Sequence, residues 1–564
     1  MIPVSPRSVI ETCRLRYAPY PRCMDATTVT PSPRNEPQRT YAPGTPERAS
    51  LRAALADMAG RQHELPVTVD GHRYLPSGPS FDVVTPHAHA HVLGRAATAT
   101  REDGKAAVEA ALRAAPAWRA LPYDERAAVL LRAADLLSGP WRDRLNAATM
   151  LGQSKTCYQA EIDAACELAD FWRFNVAYGR QVLEMQPGSS PGLWNRFDHR
   201  PLEGFVYAVT PFNFTAIAAN LPTAPALMGN TVIWKPAPTQ TLAAVLTLAL
   251  LEEAGLPPGV INLLTGDGRA VSEVLLADPA LAGIHFTGST ATFRHLWRTV
   301  AEHLDTYATY PRLVGETGGK DFVVAHASAD VDVLRTALVR GAFEYQGQKC
   351  SAASRAFVPR SVWARLRDDL IDETDGLPMG DVTDFGNFLG AVIDRRAFDK
   401  LAAALDRAHA DPSLDVVAGG TADDADGYFV RPTIVVGSDP TNDVFCTEYF
   451  GPILAVHVYD DADYDKVLGQ VDRGAPYGLT GSIIAEDRAA ITAASEALRF
   501  AAGNFYVNDK PTGAVVGQQP FGGGRASGTN DKAGSIHNLL RWVSPRTIKE
   551  TFVPPRSSGY PHQG

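Results

Sequence analysis

The chain has 564 residues, of which 45% are hydrophobic and 21% are charged, and its formal net charge is -10. This length exceeds what one hydrophobic core usually organises, so we expect at least two domains. The acidic balance argues against nucleic acid as a partner. The apolar stretches are too interrupted for a membrane-spanning helix, so no membrane span is expected.

Six cysteines lie at irregular spacings without a CxxC pair. Such a pattern fits neither a disulfide framework nor a zinc site, so we expect no metal and a reducing compartment. The heavy use of Ala, and of Arg over Lys, is typical of a bacterial genome and predicts a cytoplasmic location. If the source is a eukaryote, we expect the mitochondrial matrix instead.

The first 44 residues are rich in Pro and Arg and have little hydrophobic periodicity. This composition predicts a mobile arm with little core of its own. Met24 is a candidate for the true start of the chain.

Amphipathic helices are predicted from Arg113 to Tyr178. One of them, ERAAVLLRAADLLSG, ends on Gly139, a typical C-terminal cap. Another, YQAEIDAACELADFWRFNVAY, has apolar residues at helical spacing, which predicts core packing for Cys166 and for the neighbouring Cys157.

Four short β-rich runs follow, GFVYAVTPFNF, NTVIWKP, VINLLTG and GIHFTGS, and helical segments such as TLAAVLTLALLEEAG separate them. This alternation predicts a parallel sheet covered by helices with right-handed crossovers. Such sheets bind ligands at the carboxyl ends of their strands.

Each of these runs ends in residues that suit a dinucleotide, although no GxGxxG motif is present. A glycine after a strand is usually a plain turn, and a lone lysine is usually a solvated charge. Repetition at consecutive strand ends is more informative, because small residues admit a pyrophosphate and a lysine reaches ribose or phosphate oxygens. The candidate residues are Asn213, Lys235, Gly268, Gly288 and Ser289.

The segment FEYQGQKCSA contains Cys350 among groups that form hydrogen bonds rather than pack. A buried structural cysteine prefers apolar neighbours. A reactive cysteine needs a dipole, a cation or a proton acceptor to raise its thiolate fraction. Lys349 is adjacent in sequence, but adjacency leaves the source of activation open, and the sequence alone leaves a structural role open as well.

Five motifs in this order, FTGST, GETGGKD, FEYQGQKCSA, EYFGP and QQPFGG, resemble the aldehyde dehydrogenase superfamily. The stretches QAEIDAACELADFWRFN, TPFNFTAIAANL and RASGTNDKAGS are similar to its Δ1-pyrroline-5-carboxylate dehydrogenase branch. The resemblance runs from about Tyr41 to the C-terminus. It implies an α/β, aldehyde dehydrogenase-like fold with a Rossmann-type cofactor domain, an α/β catalytic domain and a small β oligomerisation flap.

The resemblance also implies catalytic roles. Cys350 would be the nucleophile that makes a thiohemiacetal and then a thioester. Asn213 and the backbone N–H of Cys350 would stabilise the oxyanion, and Glu316 would activate water. Without the resemblance, Asn213 reads as a turn residue and Glu316 as a solvated loop charge. The three glycines of GETGGKD would let Glu316 swing.

NAD is the cofactor that the resemblance implies. Many superfamily members have a glutamate three residues after the lysine of the second strand, and this chain has Pro238 there, which weakens the expected exclusion of NADP. The resemblance assigns Lys235 to the adenosine ribose, Gly288 and Ser289 to the pyrophosphate, and Glu448 and Phe450 to the nicotinamide ribose and ring.

The implied substrate is the small molecule L-glutamate-γ-semialdehyde, whose α-ammonium and α-carboxylate need opposite partners. The resemblance places Glu161 at the ammonium, Ser351 and the N–H groups of Gly513 and Ala514 at the carboxylate, and Phe214 and Phe521 along the aliphatic middle. Some relatives have serine in place of Ala514. Without the resemblance, Glu161 reads as an exposed charge on a helix.

The expected domains are an arm (1–44), a NAD-binding domain (45–188 and 207–314), a catalytic domain (315–526) and an oligomerisation element (189–206 and 527–564). A β-flap near 189–203 should pair with a strand near 542–549. Because an exposed flap edge invites aggregation, we expect a homodimer or a higher homo-oligomer.

Three functions remain open at this stage. The first is NAD-dependent oxidation of glutamate semialdehyde to glutamate, the second step of proline catabolism, coupled to a separate proline dehydrogenase. The second is oxidation of another short semialdehyde, such as succinate semialdehyde. The third is a binding protein with an inherited fold, against which Cys350, Glu316 and Asn213 together argue.

Overall fold

The computed structural model describes Ala26 and residues 28–564. Cys13, Cys23 and the candidate start Met24 lie outside the described residues. Two seven-stranded sheets, each covered by helices, form the body of the molecule. Within the described part of the chain, no helix is both long and apolar enough to cross a membrane.

The N-terminal half of the chain holds the first sheet, a smaller three-stranded sheet and one further strand. Its helices are α1 (Pro46–Ala59), α2 (Arg101–Ala120), α3 (Tyr123–Ser138), α4 (Arg142–Gln153), α5 (Cys157–Ala160), α6 (Leu168–Glu184), α7 (Thr215–Leu227), α8 (Thr241–Glu253), α9 (Arg269–Ala277) and α10 (Thr290–Glu302). Its strands are β1 (His63–Leu65), β2 (Val67–Val69), β3 (His72–Tyr74), β4 (Ser80–Thr85), β5 (Ala88–Ala97), β6 (Leu193–Pro201), β7 (Phe205–Thr210), β8 (Thr231–Pro236), β9 (Ile261–Leu263), β10 (Leu281–Thr287) and β11 (Arg312–Glu316).

The four β-rich runs of the sequence are β7, β8, β9 and β10, and all four lie side by side in this sheet. The strand order is β11-β10-β7-β8-β9-β2-β3, and the five strands from β11 to β9 are parallel. The predicted α/β fold is therefore confirmed. The strands β1, β4 and β5, which the sequence analysis did not predict, form a separate three-stranded sheet.

The C-terminal half of the chain holds the second sheet, two short strand pairs and one further strand. Its helices are α11 (Val331–Phe343), α12 (Arg360–Asp375), α13 (Arg395–Ala410), α14 (Asp443–Cys446), α15 (Tyr464–Arg473), α16 (Arg488–Ala497) and α17 (Ile536–Leu540). Its strands, with two short pairs outside the sheet, are β12 (Asp321–Ala325), β13 (Ala353–Pro359), β14 (Leu414–Ala418), β15 (Ala422–Asp423), β16 (Phe429–Val430), β17 (Thr433–Gly437), β18 (Ile453–Tyr459), β19 (Tyr477–Gly478), β20 (Thr480–Ile484), β21 (Asn504–Val507), β22 (Gly524–Arg525) and β23 (Val543–Thr551). The strand order of the sheet is β14-β17-β18-β13-β12-β20-β21.

The predicted flap is a two-stranded antiparallel ribbon of β6 and β23. Its register runs from Val543 opposite Pro201 to Thr551 opposite Leu193. The ribbon has a buried end at Val543 and an exposed Trp194 near its tip. Distant parts of the sequence therefore meet in the flap as expected.

The helix predicted over residues 158–178 contains a π-helical insertion, Glu161–Glu167, between α5 and α6. Cys157 and Cys166 are buried on it, as predicted. A π-helical turn shifts the angular position of every residue after it, and such turns are frequent at functional sites. The helical pattern of the sequence could not show this insertion.

The N-terminal arm, which the sequence analysis expected to be mobile with little core of its own, is packed against the body over residues 35–41. Tyr41 is buried. The carboxylate of Asp170 on α6 accepts hydrogen bonds from Asn35 and from the backbone N–H of Glu36. The segment has few apolar residues because it is fastened by charges and hydrogen bonds, which hydrophobic periodicity does not reveal.

Candidate active site

Cys350 lies between the second sheet and the first, just before β13. The chain reaches it through a tight turn in which Tyr345, Gln346 and Gly347 have left-handed φ angles of 52°, 54° and 64°. Two of these are non-glycine residues, for which such backbone is strained and is typical of functional sites. The side-chain amide of Gln346 holds the turn by donating to the backbone carbonyls of Ser154 (2.9 Å) and Ala391 (2.7 Å).

Two cavities meet at Cys350. The larger is lined by Glu316, Ser351, Phe214 and Phe521, and the smaller by Gly319, Lys320, Glu448 and Phe450. Cys350 lines both, although its side chain is mostly buried. A thiol at such a junction can meet one ligand from each side. We call these cavities the substrate-side and cofactor-side cavities.

Lys349 does not activate Cys350, because its ammonium donates to the carboxylate of Glu344 at 2.9 Å. Burial and the carboxylates of Glu316, Asp321 and Glu448 raise the pKa of Cys350 well above its usual value. The resting thiol is therefore protonated at neutral pH. A proton acceptor, rather than a neighbouring cation, is the means of activation that the geometry offers.

Glu316 is the candidate for that acceptor by its position. It ends β11, lines the substrate-side cavity with Cys350, and has a buried Oε1 without a hydrogen-bond partner. Burial raises the pKa of Glu316 to about 8, while Lys532 acts in the opposite direction. A carboxyl group with a pKa near the working pH suits a general base.

The glycines of GETGGKD make room rather than marking a hinge. A Cβ atom on Gly318 would lie 1.9 Å from the carboxylate of Glu448, and one on Gly319 would lie 2.5 Å from the carbonyl oxygen of Cys350. Close backbone approach accounts for these glycines, so the mobility of Glu316 inferred from them stays a prediction.

Asn213 follows β7 and is buried beside the cysteine turn. Its Nδ2 donates to the carbonyl of Gln348 at 2.9 Å. Because an amide carries two N–H hydrogens, the second remains for another acceptor. Gln348 lies two positions before Cys350, so Asn213 lies close to the cysteine turn. This position agrees with the predicted oxyanion role, which stays a prediction.

Lys235 and Gly268 meet at the carboxyl edge of the first sheet. The Lys235 ammonium donates to the carbonyl of Gly266 at 3.2 Å, and burial lowers its pKa to about 8. A Cβ on Gly268 would lie 2.6 Å from the Lys235 side chain. The structure therefore brings together two residues that are predicted to bind the cofactor. A residue larger than glycine at position 268 would fill the space beside Lys235.

Gly288 and Ser289 form the N-terminal end of α10. Ser289 caps the helix by accepting from the N–H of Thr292 at 3.1 Å, and the N–H of Gly288 donates to the carbonyl of Glu316 at 3.1 Å. The N-terminus of a helix favours anions. Gly288, which together with Ser289 is predicted to bind the pyrophosphate, is thus hydrogen-bonded to the strand that carries Glu316.

Glu448 and Phe450 lie on the other side of the cysteine. Glu448 accepts from the N–H of Gly319 at 2.9 Å, and burial raises its pKa. Phe450 has a left-handed φ of 60° and packs edge-on against Phe212 at 5.8 Å between ring centroids. Both residues line the cofactor-side cavity, and their contacts with the nicotinamide ribose and ring stay predictions.

Five of the six predicted substrate residues line the substrate-side cavity. Ser351 shares a hydrogen bond of 2.8 Å with the hydroxyl of Thr512, and Gly513 has a φ of +94° that favours glycine. These five are Phe214, Ser351, Gly513, Ala514 and Phe521.

Glu161 does not line that cavity, so its predicted contact with the substrate ammonium is wrong. It is fully buried at the first position of the π-helical insertion, where its carboxylate pairs with Arg142. Burial alone would raise its pKa, but the hydrogen bonds from Arg142 and other donors lower it. The other donors are the N–H of Arg39 (2.8 Å), the Tyr41 hydroxyl (2.7 Å) and the Asn146 amide (2.9 Å).

Glu167, which the sequence analysis missed, lies in the substrate-side cavity instead. It is the last residue of the same insertion, six positions after Glu161. Burial and the carboxylate of Asp163 raise its pKa to about 8, although Lys155 opposes this. Both glutamates lie in QAEIDAACELADFW, so the sequence analysis identified the right helix. The π-helical insertion determines which of the two carboxylates faces the cavity.

The fold and the site together define an aldehyde dehydrogenase. The aldehyde dehydrogenase family model matches residues 74–548, and the chain belongs to this family. The chain is 63% identical to the Δ-pyrroline-5-carboxylate dehydrogenase of Mycobacterium tuberculosis, whose crystal structure was solved bound with NAD. That match has a TM-score of 0.93 and covers 96% of this chain and 100% of the other.

Two further relatives carry related names. The mitochondrial delta-1-pyrroline-5-carboxylate dehydrogenase of Homo sapiens is 48% identical over 521 residues, 92% of each chain. The proline utilization A (PutA) structure from Bdellovibrio bacteriovorus is 31% identical, with a TM-score of 0.87, and the match covers 92% of this chain and 53% of the other. The chain therefore corresponds to about half of that longer protein.

Proposed function

We propose that the protein oxidises L-glutamate-γ-semialdehyde, the open form of Δ1-pyrroline-5-carboxylate, to L-glutamate with NAD as hydride acceptor. This is the second step of proline breakdown. The observation that carries the proposal is the lining of the substrate-side cavity, which combines Cys350 and Glu316 with a second carboxyl group, Glu167, and the loop at Gly513. The names of the relatives agree with this substrate.

The first step is attack of the Cys350 sulfur on the aldehyde carbon. Glu316 receives the thiol proton, which its pKa of about 8 permits near neutral pH. The carbonyl oxygen becomes an oxyanion that the free N–H of Asn213 and the N–H of Cys350 stabilise. The product of this step is a thiohemiacetal on Cys350.

Hydride then leaves the tetrahedral carbon and a thioester remains on Cys350. The oxidised nicotinamide, when bound, supplies the acceptor for that hydride. Glu316 releases the thiol proton to solvent, then takes a proton from water, and the resulting hydroxide attacks the thioester. The bond to sulfur breaks, glutamate leaves, and the Cys350 thiol is restored.

NAD would lie along the carboxyl edge of the first sheet. Lys235 and Gly268 suit the adenosine ribose, the α10 N-terminus at Ser289 suits the pyrophosphate, and Glu448 suits the nicotinamide ribose. Pro238 begins a short 3-10 turn directly after this lysine strand. No acidic side chain stands at that position to repel a 2′-phosphate, so we expect NADP to be used as a weaker alternative.

The two charged ends of the substrate would meet opposite walls. Glu167, not Glu161, would face the α-ammonium, and the Ser351 hydroxyl with the N–H groups of Gly513 and Ala514 would face the α-carboxylate. Phe214 and Phe521 line the same cavity and suit the methylene groups between the ends. A monocarboxylate such as succinate semialdehyde has no ammonium to pair with Glu167.

Assembly and location are proposals of the same kind. The β6–β23 ribbon has an exposed Trp194, and its free edges suit pairing with a second copy in at least a homodimer. A reduced Cys350 requires a reducing compartment, the cytoplasm in a bacterium or the mitochondrial matrix in a eukaryote. The semialdehyde would come from a separate proline dehydrogenase.

The test is steady-state NADH formation with three aldehydes at one pH. Glutamate semialdehyde has both charged ends, succinate semialdehyde has only the carboxylate, and propanal has neither. We expect kcat/KM to fall in that order. A wild-type preference for succinate semialdehyde would transfer the assignment to that substrate, and the absence of NADH with all three would refute catalysis.

A further inference from the structure

Residues 35–39, which precede the first helix, lie at the mouth of the substrate-side cavity. Gln38 is exposed and lines its rim together with Tyr158 and Gln159. None of the family motifs in the sequence includes this segment. Its contacts are therefore the evidence for what it does.

Asn35 joins two walls of the cavity. Its Nδ2 donates to the carboxylate of Asp170 on α6 and to the carbonyl of Val516, both at 2.8 Å. Its Oδ1 accepts from the side-chain amide of Gln518 at 3.1 Å. Both amide hydrogens and the amide oxygen are thus used, and they tie the loop of residues 512–519 to a helix of the other half of the chain.

The segment that carries Asn35 is itself firmly held. The N–H of Glu36 donates to Asp170 at 2.7 Å, and the Glu36 carboxylate pairs with Arg142 at 2.6 Å and Arg173 at 2.7 Å. Arg142 also donates to the carbonyl of Pro37 at 2.7 Å and pairs with the buried Glu161. Glu161 therefore serves as an anchor for this segment, which explains a fully buried carboxylate outside the cavity.

Within the described residues, no backbone–backbone hydrogen bond joins the loop of residues 512–519 to a strand or helix. Such a loop keeps its conformation only where side chains satisfy its polar groups. On the cavity side, the hydroxyls of Thr512 and Ser351 bond to each other at 2.8 Å. Further along the loop, the Asn35 amide donates to the carbonyl of Val516, and the Gln519 side-chain oxygen accepts from the N–H of Val515.

We propose that Asn35 is a positioning residue for substrate recognition. By fixing the Val516 carbonyl, it holds the N–H groups of Gly513 and Ala514 in the arrangement that receives a carboxylate on the substrate. This inference rests on the proposed function, since it assigns the loop to the carboxylate end. It makes the N-terminal segment part of the specificity site, although Asn35 does not itself line the cavity.

Asn35→Ala tests the proposal in the full-length protein. KM for glutamate semialdehyde should rise about tenfold, the typical cost of one or two hydrogen bonds, while kcat changes less than about twofold. The kcat/KM for propanal, which has no carboxylate, should not change. Thr40→Ala is the matched control, because Thr40 is exposed on the same segment and its side chain accepts only a local hydrogen bond from the N–H of Ala42.

Asn35→Asp sharpens the test. It keeps the size of the side chain but turns carboxylate oxygens toward the Asp170 carboxylate and the Val516 carbonyl, so the rise in KM should exceed that of Asn35→Ala. Hydrogen–deuterium exchange of residues 512–519 gives a readout that needs no substrate. Faster exchange there in both variants, without a change in the second sheet, is the expected result.

The outcomes separate the two proposals. Equal losses with glutamate semialdehyde and propanal, or unchanged exchange in the loop, would overturn the positioning role of Asn35. If the wild-type enzyme did not oxidise glutamate semialdehyde, the proposed function would be refuted. Faster exchange of the loop in Asn35→Ala would then still support the structural role of Asn35.

Discussion

The two sides of Cys350 differ in how their buried charges are satisfied. On the cofactor side, Glu448 accepts a backbone hydrogen bond and the distant Lys235 donates one. On the substrate side, Glu316 has a buried oxygen without a partner, and both it and Glu167 have pKa values raised to about 8. Unpaired buried carboxyl groups are costly, so a side that retains them is suited to a ligand or a reaction that uses them.

Cys350→Ala should have the largest effect, and it should remove catalysis without removing NAD binding. Cys350→Ala should abolish NADH formation with every aldehyde, because no other residue of the site can form the covalent adduct. The affinity for NAD, measured by calorimetry, should stay within about twofold of the wild type, since the cofactor-side contacts do not need the thiol. Cys157→Ala, at a buried cysteine outside both cavities, is the control and should keep its turnover.

Glu316→Gln should affect the second half of the reaction most. The variant keeps the volume but not the base, so the NADH burst should be slower, because Cys350 loses its proton acceptor. Steady turnover, which also needs the base for water, should fall by roughly 10²- to 10⁴-fold. Stopped-flow absorbance of NADH measures both. An unchanged steady rate would mean that another group activates the water.

The pH profile gives the control for this variant. Glu316 acts as a base only when deprotonated, and its pKa is about 8. Wild-type turnover limited by thioester hydrolysis should therefore rise with pH up to about 8 and then level off. The residual turnover of Glu316→Gln should lack that rise.

Glu161→Gln should affect stability rather than selectivity. It weakens the partner of a buried arginine, and breaking a buried ion pair typically costs about 3 to 5 kcal/mol. Since Glu36 remains as a second partner for Arg142, we expect a loss of about 3 kcal/mol in the free energy of unfolding, measured by urea denaturation. Glu184→Gln, at an exposed glutamate, should have almost no effect. A selective loss on amino-substituted substrates would contradict this assignment.

Glu167→Gln should give the smallest but most selective effect. Losing a charge-assisted hydrogen bond costs about 1.5 to 3 kcal/mol, so kcat/KM for glutamate semialdehyde should fall by roughly ten- to two-hundredfold. For succinate semialdehyde, it should change little or improve. The semialdehyde concentration must be corrected for cyclisation to pyrroline carboxylate. Equal losses on both substrates would give Glu167 a structural role.

Much of the site was predictable because its residues stand at fixed points of regular elements. Asn213 and Gly288 follow β7 and β10, and Lys235 lies near the end of the neighbouring strand β8. Such strand ends converge in any sheet of this type. The predicted family and fold class are confirmed for the same reason, since strand and helix periodicity and ordered motifs are local properties of the sequence.

The sequence by itself determined the family, the α/β fold class and the four adjacent parallel strands β7 to β10. Only the tertiary structure decided which glutamate of one helix faces the cavity, because one π-helical insertion sets Glu161 toward Arg142 and leaves Glu167 in the cavity. It also decided that residues 35–41 belong to the body, because their hydrogen-bond partners lie more than a hundred residues away in the sequence. Contacts of that kind depend on the folded path of the chain, which no local pattern records.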